Sequence, residues 1–189
     1  MKKLELIYNK IIEEVLENKN YKLTQKGLSK ELKISLSTVN YALKPLINMG
    51  AIKINLKNFN IINAKKILYY WASLRSIEKD IVYKTRVDKN VIDIEKSMPN
   101  LVIFTAYSAY KFKFKDAPAD YSEVYVYGNK DEIKERFKEA KGNPNLFVLK
   151  KDINKLTLAN LFVDLWNLRE WYAKDFLDAL EKRINGILA

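Results

Sequence analysis

The pattern of apolar residues in about the first sixty positions constrains the fold most. It consists of three short amphipathic segments, followed by two segments in which apolar and polar residues alternate. Apolar side chains recur every three or four residues from Leu4 to Val15, which predicts a first helix that ends near Asn18 to Asn20. Thr24 is suited to cap a short second helix, and Ser35 a third. Gly50 is suited to end the third helix in the left-handed conformation. Three such helices predict a small orthogonal bundle.

A β-hairpin is predicted directly after the third helix. Residues 51–56 and 59–62 alternate in polarity and are joined across Lys57 and Asn58, which is typical of two short paired strands. The side chains expected on the inner face are Ile52, Ile54 and Leu56.

The rest of the chain predicts an α+β fold, with an N-terminal bundle and hairpin followed by a small mixed α/β domain. Residues 64–77 are predicted to form a connecting helix with Ile67, Leu68, Trp71 and Leu74 facing inward. Further helices are expected at 91–96 and 131–140, strands at 101–104, 121–127 and 146–149, and two helices in the last forty residues. The expected domains are 1–62, a connecting segment 63–98, and 99–189.

Composition excludes several classes of protein. Cysteine and histidine are both absent, so disulfides, the usual zinc sites and histidine-based catalysis are excluded. No run reaches the roughly 18 apolar residues of a membrane span, and no secretory signal opens the chain, so a cytoplasmic location without membrane association is expected.

The distribution of charge points to a polyanionic partner. The chain carries 34 Lys and Arg against 23 Asp and Glu, a net charge of +11. No carboxylate occurs between Glu31 and Glu78, whereas this window contains Lys33, Lys44, Lys53, Lys57, Lys65, Lys66 and Arg75. A basic surface that binds nothing is the alternative interpretation, but the window coincides with the helical motif.

The segment 23–46, LTQKGLSKELKISLSTVNYALKPL, resembles the winged helix-turn-helix of prokaryotic transcription regulators, particularly the MarR-like group. The following Met49-Gly50-Ala51-Ile52-Lys53 resembles the junction that opens their wing. Gly27 departs from the pattern because a better helix former is usual there, and Pro45 is expected to kink or shorten the third helix. The resemblance implies a regulator that binds double-stranded DNA.

The resemblance and helix geometry together give a candidate DNA-binding surface. If the third helix enters the major groove, Asn40 is the best candidate to read a base, because its amide can pair with adenine. Lys44 is expected at a phosphate, and the wing at the backbone or minor groove. The full set is Lys33, Ser35, Leu36, Ser37, Thr38, Asn40, Tyr41, Lys44, Lys53, Lys57 and Asn58.

Three segments of the C-terminal half, 104–110, 121–127 and 161–166, resemble the C-terminal domain of AbiEi-type antitoxin regulators. Those proteins repress their own operons and oppose a nucleotidyltransferase-like toxin. The resemblance implies a repressor whose C-terminal domain senses a ligand or binds a protein partner.

An enzyme targeted to nucleic acid, such as a nucleotidyltransferase, is the alternative function. Gly128 lies between a predicted strand and helix, but Asn129 with Glu132 is better explained as a helix cap. Asp116, Asp120 and Glu123 could hold magnesium, but an acidic loop explains them more simply. We therefore expect that the protein is not an enzyme and that it binds no metal or cofactor.

The terminal helices predict a homodimer. At Leu165, Trp166, Leu168, Trp171 and Tyr172, apolar side chains occupy more than one face of a helix. A subunit interface would use the extra face, and packing within the domain is the alternative. A two-fold dimer would bind half-sites one helical turn of DNA apart.

Overall fold

A computed structural model describes residues 1–189, which divide into two compact units. The first unit contains Met1–Arg75, Thr157–Val163 and Ile187–Ala189, and the second contains Ser76–Leu156 and Asp164–Gly186. These residue ranges differ from the domain boundaries that the sequence predicts. The expected connecting segment 63–98 divides at Arg75 between the two units, because its first helix packs on the N-terminal bundle and its later part joins the second sheet.

The N-terminal part of the first unit is a helical bundle with a small sheet, as the sequence predicts. Its elements are α1 (Lys3–Asn18), β1 (Lys22–Leu23), α2 (Gln25–Leu32), α3 (Leu36–Asn48), β2 (Ile52–Ile54), β3 (Phe59–Ile61) and α4 (Ala64–Leu74). The bundle core includes the fully buried Ile7, Ile11, Val15, Val39, Leu43 and Leu46. These positions are spaced by three and four residues, so each helix presents one apolar stripe to the others.

The predicted N-caps of α2 and α3 are confirmed. The Thr24 hydroxyl accepts the Gly27 N–H at 2.9 Å, and the Ser35 hydroxyl accepts the Thr38 N–H at 3.2 Å. The unusual glycine has a local explanation, because a Cβ at position 27 would lie 2.8 Å from the capping oxygen of Thr24. Glycine is a weak helix former, but its lack of a Cβ leaves room for the Thr24 cap.

Pro45 does not shorten α3, although shortening is one of the two outcomes that the sequence favours. The helix continues to Asn48, and the Pro45 carbonyl accepts the Met49 N–H at 3.1 Å. Proline lacks only its own N–H donor, so the N–H groups after it can still continue the helix. Gly50 then has φ +67°, which confirms the predicted left-handed turn.

The hairpin forms, but its strands are shorter than predicted and part of its inner face is exposed. β2 pairs with β3, and β1, which the sequence analysis missed, adds a third strand in the order β1-β3-β2. Ile52 is buried, whereas Ile54 is 41% exposed and Leu56 is 99% exposed. The expectation that all three face the core is wrong, because β2 ends at Ile54 and the hairpin then extends beyond the bundle.

α4 packs against α1 and belongs to the first unit. Trp71 is completely buried, as expected, but Leu74 is 45% exposed and the helix ends there instead of at Ile77. Beyond it, Arg75 is only 4% exposed and its Nη1 donates to Glu5 at 3.4 Å. Arg75 therefore cannot belong to the basic surface that the sequence suggested.

A segment from the C-terminal half completes the first unit. The Thr157 hydroxyl donates to Oδ1 of Asn9 at 2.6 Å, and Nδ2 of Asn9 donates to the buried Asn160 at 2.9 Å. Phe162 meets Tyr69 edge to face with ring centroids 5.6 Å apart. These side chains explain why residues 157–163 join the N-terminal bundle.

The second unit is built on a four-stranded mixed sheet. After a 3-10 turn, Ile77–Asp80, its elements are β4 (Ile81–Thr85), α5 (Val91–Lys96), β5 (Ile103–Thr105), α6 (Ala106–Phe114), β6 (Val124–Gly128), α7 (Lys130–Arg136) and β7 (Leu146–Lys150). Two helices follow in the chain, α8 (Leu158–Trp166) and α9 (Ala173–Leu188), of which residues 164–166 and 173–186 belong to this unit. The strand order is β4-β7-β6-β5, with β6 and β7 parallel and the outer pairs antiparallel. The α+β class is therefore confirmed.

The two faces of this sheet differ in chemistry. One face is apolar and buries Val126, Val148 and Ile133 with neighbours from α5 and α7. On the other face, Oδ2 of the buried Asp164 accepts hydroxyl groups from Thr105 at 2.8 Å and Tyr127 at 2.6 Å. The buried Asp164 carboxylate is thus paired with two hydroxyl donors.

Glu170 forms a second polar cluster in the same unit. Its carboxylate accepts the hydroxyl groups of Tyr107 at 3.0 Å and Tyr125 at 2.7 Å. Burial and the neighbouring Glu170 raise the pKa of both tyrosines well above their ordinary value. Both hydroxyls therefore keep their protons and act as donors.

The sequence pattern does not predict β4 or α6. β4 pairs with β7, more than sixty residues away, so local pattern carries little information about it. α6 carries aromatic residues on several sides, so no single apolar stripe marks it as a helix. None of the helices in the structure has the length and apolarity needed to cross a bilayer.

Candidate nucleic-acid interface

α3 separates into a buried and an exposed face. Val39, Ala42, Leu43 and Leu46 are completely buried. The opposite face exposes Asn40, Tyr41 and Lys44, with Tyr41 62% exposed. Residues three and four apart share a helix face, so these side chains form one continuous outer surface. A helix of thirteen residues with such a surface can fit in the major groove of B-DNA.

The N-terminal turn of α3 carries a cluster of hydroxyl groups. The Ser35 hydroxyl lies 2.8 Å from that of Thr38 and 3.0 Å from that of Ser37. The helix dipole adds partial positive charge at this end, which favours a phosphate group. Leu36, at the same turn, is 50% exposed. Because the Ser35 hydroxyl accepts the Thr38 N–H, Ser35 has a structural role as the cap in addition to its predicted role at DNA.

The wing begins directly at the end of α3. The Ala51 N–H donates to the Leu46 carbonyl at 2.9 Å, which fixes the start of β2 relative to the helix. Lys53 and Lys57 are exposed on the hairpin, and Asn58 is half-buried. The Asn55 side chain donates to that of Asn58 at 2.9 Å, and the Asn55 N–H donates to the Asn58 carbonyl at 2.8 Å. Two hydrogen bonds thus hold the turn of the wing closed.

All eleven predicted residues belong to the first unit, and all except Thr38 and Asn58 are exposed. Lys33 is also the C-cap of α2, where its φ of 53° makes the turn between the two helices. Contact of these eleven residues with DNA remains a prediction.

The carboxylate-free window, residues 32–77, still presents several lysines at the surface, although Arg75 is buried. Lys33, Lys44, Lys53, Lys57 and Lys66 are exposed, and Lys65 is half-buried. Nζ of Lys66 donates to the Met49 carbonyl at 2.8 Å, near the C-terminal end of α3. A cation at this end complements the helix dipole.

The carboxylate that precedes this region, Glu31, is ion-paired. Glu31 lies 2.6 Å from Nζ of Lys10, which also contacts Glu14 at 2.9 Å. Burial by itself would lower the pKa of Lys10, but the hydrogen bonds to Glu31 and Glu14 outweigh it and raise that pKa above its ordinary range. Lys10 therefore stays charged, and it is shared among Glu31, Glu14 and Glu13, the last at 3.5 Å. The region from α2 to α4 keeps its positive character because it contains no carboxylate after Glu31 until Glu78.

The exposure of the wing tip was not predicted from the sequence. Alternation through Ile52, Ile54 and Leu56 favoured three buried side chains, but only Ile52 is buried. The signal available in the sequence was the short distance from Leu56 to the turn at Lys57-Asn58, because a residue beside a hairpin turn has few neighbours to pack against.

A capped helix-turn-helix followed by a β-hairpin, with an exposed helix face that carries Lys44 and no carboxylate, defines a winged helix-turn-helix DNA-binding domain. A family model described as winged helix-turn-helix DNA-binding matches residues 9–53, from the middle of α1 to β2. This match covers the part of the fold that positions α3 and supports a role of the transcription-regulator type. No curated protein and no solved structure matches the chain.

Proposed function

We propose that the protein is a sequence-specific transcriptional repressor that inserts α3 into the major groove. The exposed face of α3, with Asn40 and Lys44 in a region free of carboxylates from residue 32 to residue 77, carries the proposal. Asn40 reads a base edge, Lys44 neutralises a phosphate, and the wing grips the adjacent backbone. Such a protein blocks transcription when its site overlaps a promoter, and it works where chromosomal DNA lies, in the cytoplasm.

Salt dependence and two substitutions test this interface. If five or six lysines of the region reach phosphates, log affinity should fall against log salt with a slope of about −5. Lys44→Ala should make this slope shallower by about one and weaken binding to all sequences alike. Asn40→Ala should reduce discrimination at one base pair by about 1 to 3 kcal/mol and leave the slope unchanged. Lys174→Ala, at an exposed lysine of the second unit, is the control.

The measurement is fluorescence anisotropy on duplexes that the wild-type chain selects from a random library. Equal binding by the wild-type chain and both α3 variants, at all salt concentrations, would show that α3 does not contact DNA. A chain that selects no duplex would contradict the proposed function altogether.

We also propose a two-fold homodimer formed through the tryptophans around the α8–α9 connection. Trp171 is 81% exposed and Trp166 43% exposed, whereas Leu165 and Tyr172 are buried. A single winged helix buries only about 600 to 1,000 Å² on DNA, so tight specific binding favours two copies. A second copy of the chain would cover both indole rings.

Light scattering tests the dimer. The wild-type chain should have the mass of a dimer at micromolar concentration and protect two half-sites about 34 to 36 Å apart. The double variant Trp166→Ala, Trp171→Ala should be monomeric. Leu101→Ala, at a 69% exposed residue of the same unit, should remain dimeric. A monomeric wild-type chain that binds a single half-site with full affinity would refute the proposal.

The second unit is proposed to sense a ligand or to bind a protein partner, and not to catalyse a reaction. It contains a cleft of about 810 Å³, lined among others by Tyr125, Phe147, Arg169 and Glu170. The Tyr125 and Phe147 rings stack in parallel, 4.6 Å apart, which provides an apolar wall. A ligand or peptide bound there would alter the affinity of the protein for its operator.

The alternative, nucleotidyl transfer or nucleic-acid cleavage, needs converging carboxylates. Asp116 lies 3.7 Å from Nη2 of Arg183, and no group of three acidic side chains is arranged to hold a metal ion. Asn129 accepts the Asp131 and Glu132 N–H groups, so the junction after Gly128 is a helix cap. Turnover of nucleotides by the full chain with magnesium or manganese, lost on Asp116→Ala or Asp120→Ala, would overturn the repressor proposal.

A further inference from the structure

Leu56 is the most exposed large apolar residue of the protein. It lies at the tip of the wing with 99% of its surface in contact with solvent, whereas Ile54, two residues earlier, is 41% exposed. A single exposed leucine on an ordinary surface requires no explanation. This one stands at the end of a hairpin, next to Lys57 and beyond the last paired residue of β2, where the fold gains nothing from its side chain.

The wing tip is closed by hydrogen bonds and is positively charged. The two hydrogen bonds between Asn55 and Asn58 close the turn on either side of Leu56 and Lys57. Lys53 and Lys57 are exposed, and no carboxylate occurs in the hairpin. An apolar tip beside two exposed lysines fits a partner that has phosphates at its rim and stacked bases between them. The minor groove of DNA meets this description, since stacked base pairs lie beneath two phosphate backbones.

We propose that Leu56 is an apolar wedge that enters the minor groove beside the site of α3 and partly unstacks one base step, so that the protein bends its operator. The proposal rests on the proposed function. Lys53 and Lys57 hold the phosphates on the two sides of the groove while the leucine displaces the bases. Wedges of this kind kink a duplex by about 20 to 90°.

The wedge also adds sequence preference without a hydrogen bond to a base. Pyrimidine–purine steps such as TA and CA unstack at the lowest cost. Operators should therefore carry such a step where the wing tip lies, outside the bases that α3 reads.

Bending is measured by energy transfer between dyes at the two ends of a duplex that the wild-type chain has selected from a random library. The wild-type chain should bend this duplex, and Leu56→Ala should lose at least about half of the bend and about fivefold to tenfold in affinity, with an unchanged salt slope. Leu56→Phe should keep the bend, because a phenyl ring is also a wedge. Leu56→Lys should lose the bend and steepen the salt slope by about one, because it adds a phosphate contact.

Because Leu56 has no packing role, each variant should keep the thermal stability of the wild-type chain. Ile62→Ala, at a 61% exposed residue just after β3, is the control and should bend DNA as the wild-type chain does. Selection of a duplex that stays straight, or bending by Leu56→Ala equal to that of the wild-type chain, overturns the wedge but leaves the repressor proposal intact. Failure to select any duplex overturns both.

Discussion

Removing one partner of the buried ion pair between Glu5 and Arg75 should strongly destabilise the first unit. Their side chains are 7% and 1% exposed, and Nη1 of Arg75 lies 3.4 Å from Oε2 of Glu5. Arg75→Met keeps an apolar side chain of similar length but removes the cation from a buried carboxylate. Breaking a buried pair in this way costs about 3 to 5 kcal/mol. Trp71 and the Lys2 N–H still donate to Glu5, at 3.3 and 3.2 Å, so we expect a loss of about 3 kcal/mol.

Urea unfolding followed by tryptophan fluorescence measures this loss. Trp166 and Trp171 are replaced by phenylalanine, so that the buried Trp71, which donates to Glu5, is the reporter of the first unit. The double variant Glu5→Gln, Arg75→Met should lose less free energy of unfolding than the sum of the two single variants, because it leaves no uncompensated carboxylate. A loss below about 1 kcal/mol for Arg75→Met, the value of an exposed pair, would refute the argument from burial. Losses of free energy of unfolding that are strictly additive for the two substitutions would also refute it.

Three further outcomes are expected. Burial and the neighbouring Glu170 raise the pKa of Glu123, so its ionisation destabilises the fold as pH rises through its ordinary and then its raised value. Glu123→Gln should therefore raise the melting temperature at pH 7 and have little effect at pH 4, and a larger gain at pH 4 would contradict this. Ser35→Ala should remove the cap on the Thr38 N–H and cost about 1 kcal/mol by denaturant titration, whereas Ser35→Asp should restore it. Gly50→Ala should cost about 1 kcal/mol because φ is +67°, although its Cβ would meet no neighbour, and Gly50→Asn should cost less.

Much of the candidate interface could be predicted from local sequence. The N-caps at Thr24 and Ser35 and the left-handed turn at Gly50 involve residues at most a few positions apart, so the sequence pattern contains both partners of each contact. The buried face of α3 follows from the spacing of its apolar residues, and its exposed face follows as the remainder. These local signals were sufficient to identify the winged helix.

Long-range contacts decided the rest. Arg75 counts as a surface cation in the sequence, but it is buried because Glu5, seventy residues earlier, lies beside it.

The sequence by itself thus determined the helices, their caps and the α3 face of this DNA-binding domain, because those features arise from neighbours along the chain. Only the tertiary structure decided which residues complete each unit, where β4 and β1 pair, and that Leu56 stands free at the wing tip. Strand pairing and burial depend on residues that are distant in sequence, and no local pattern encodes that proximity.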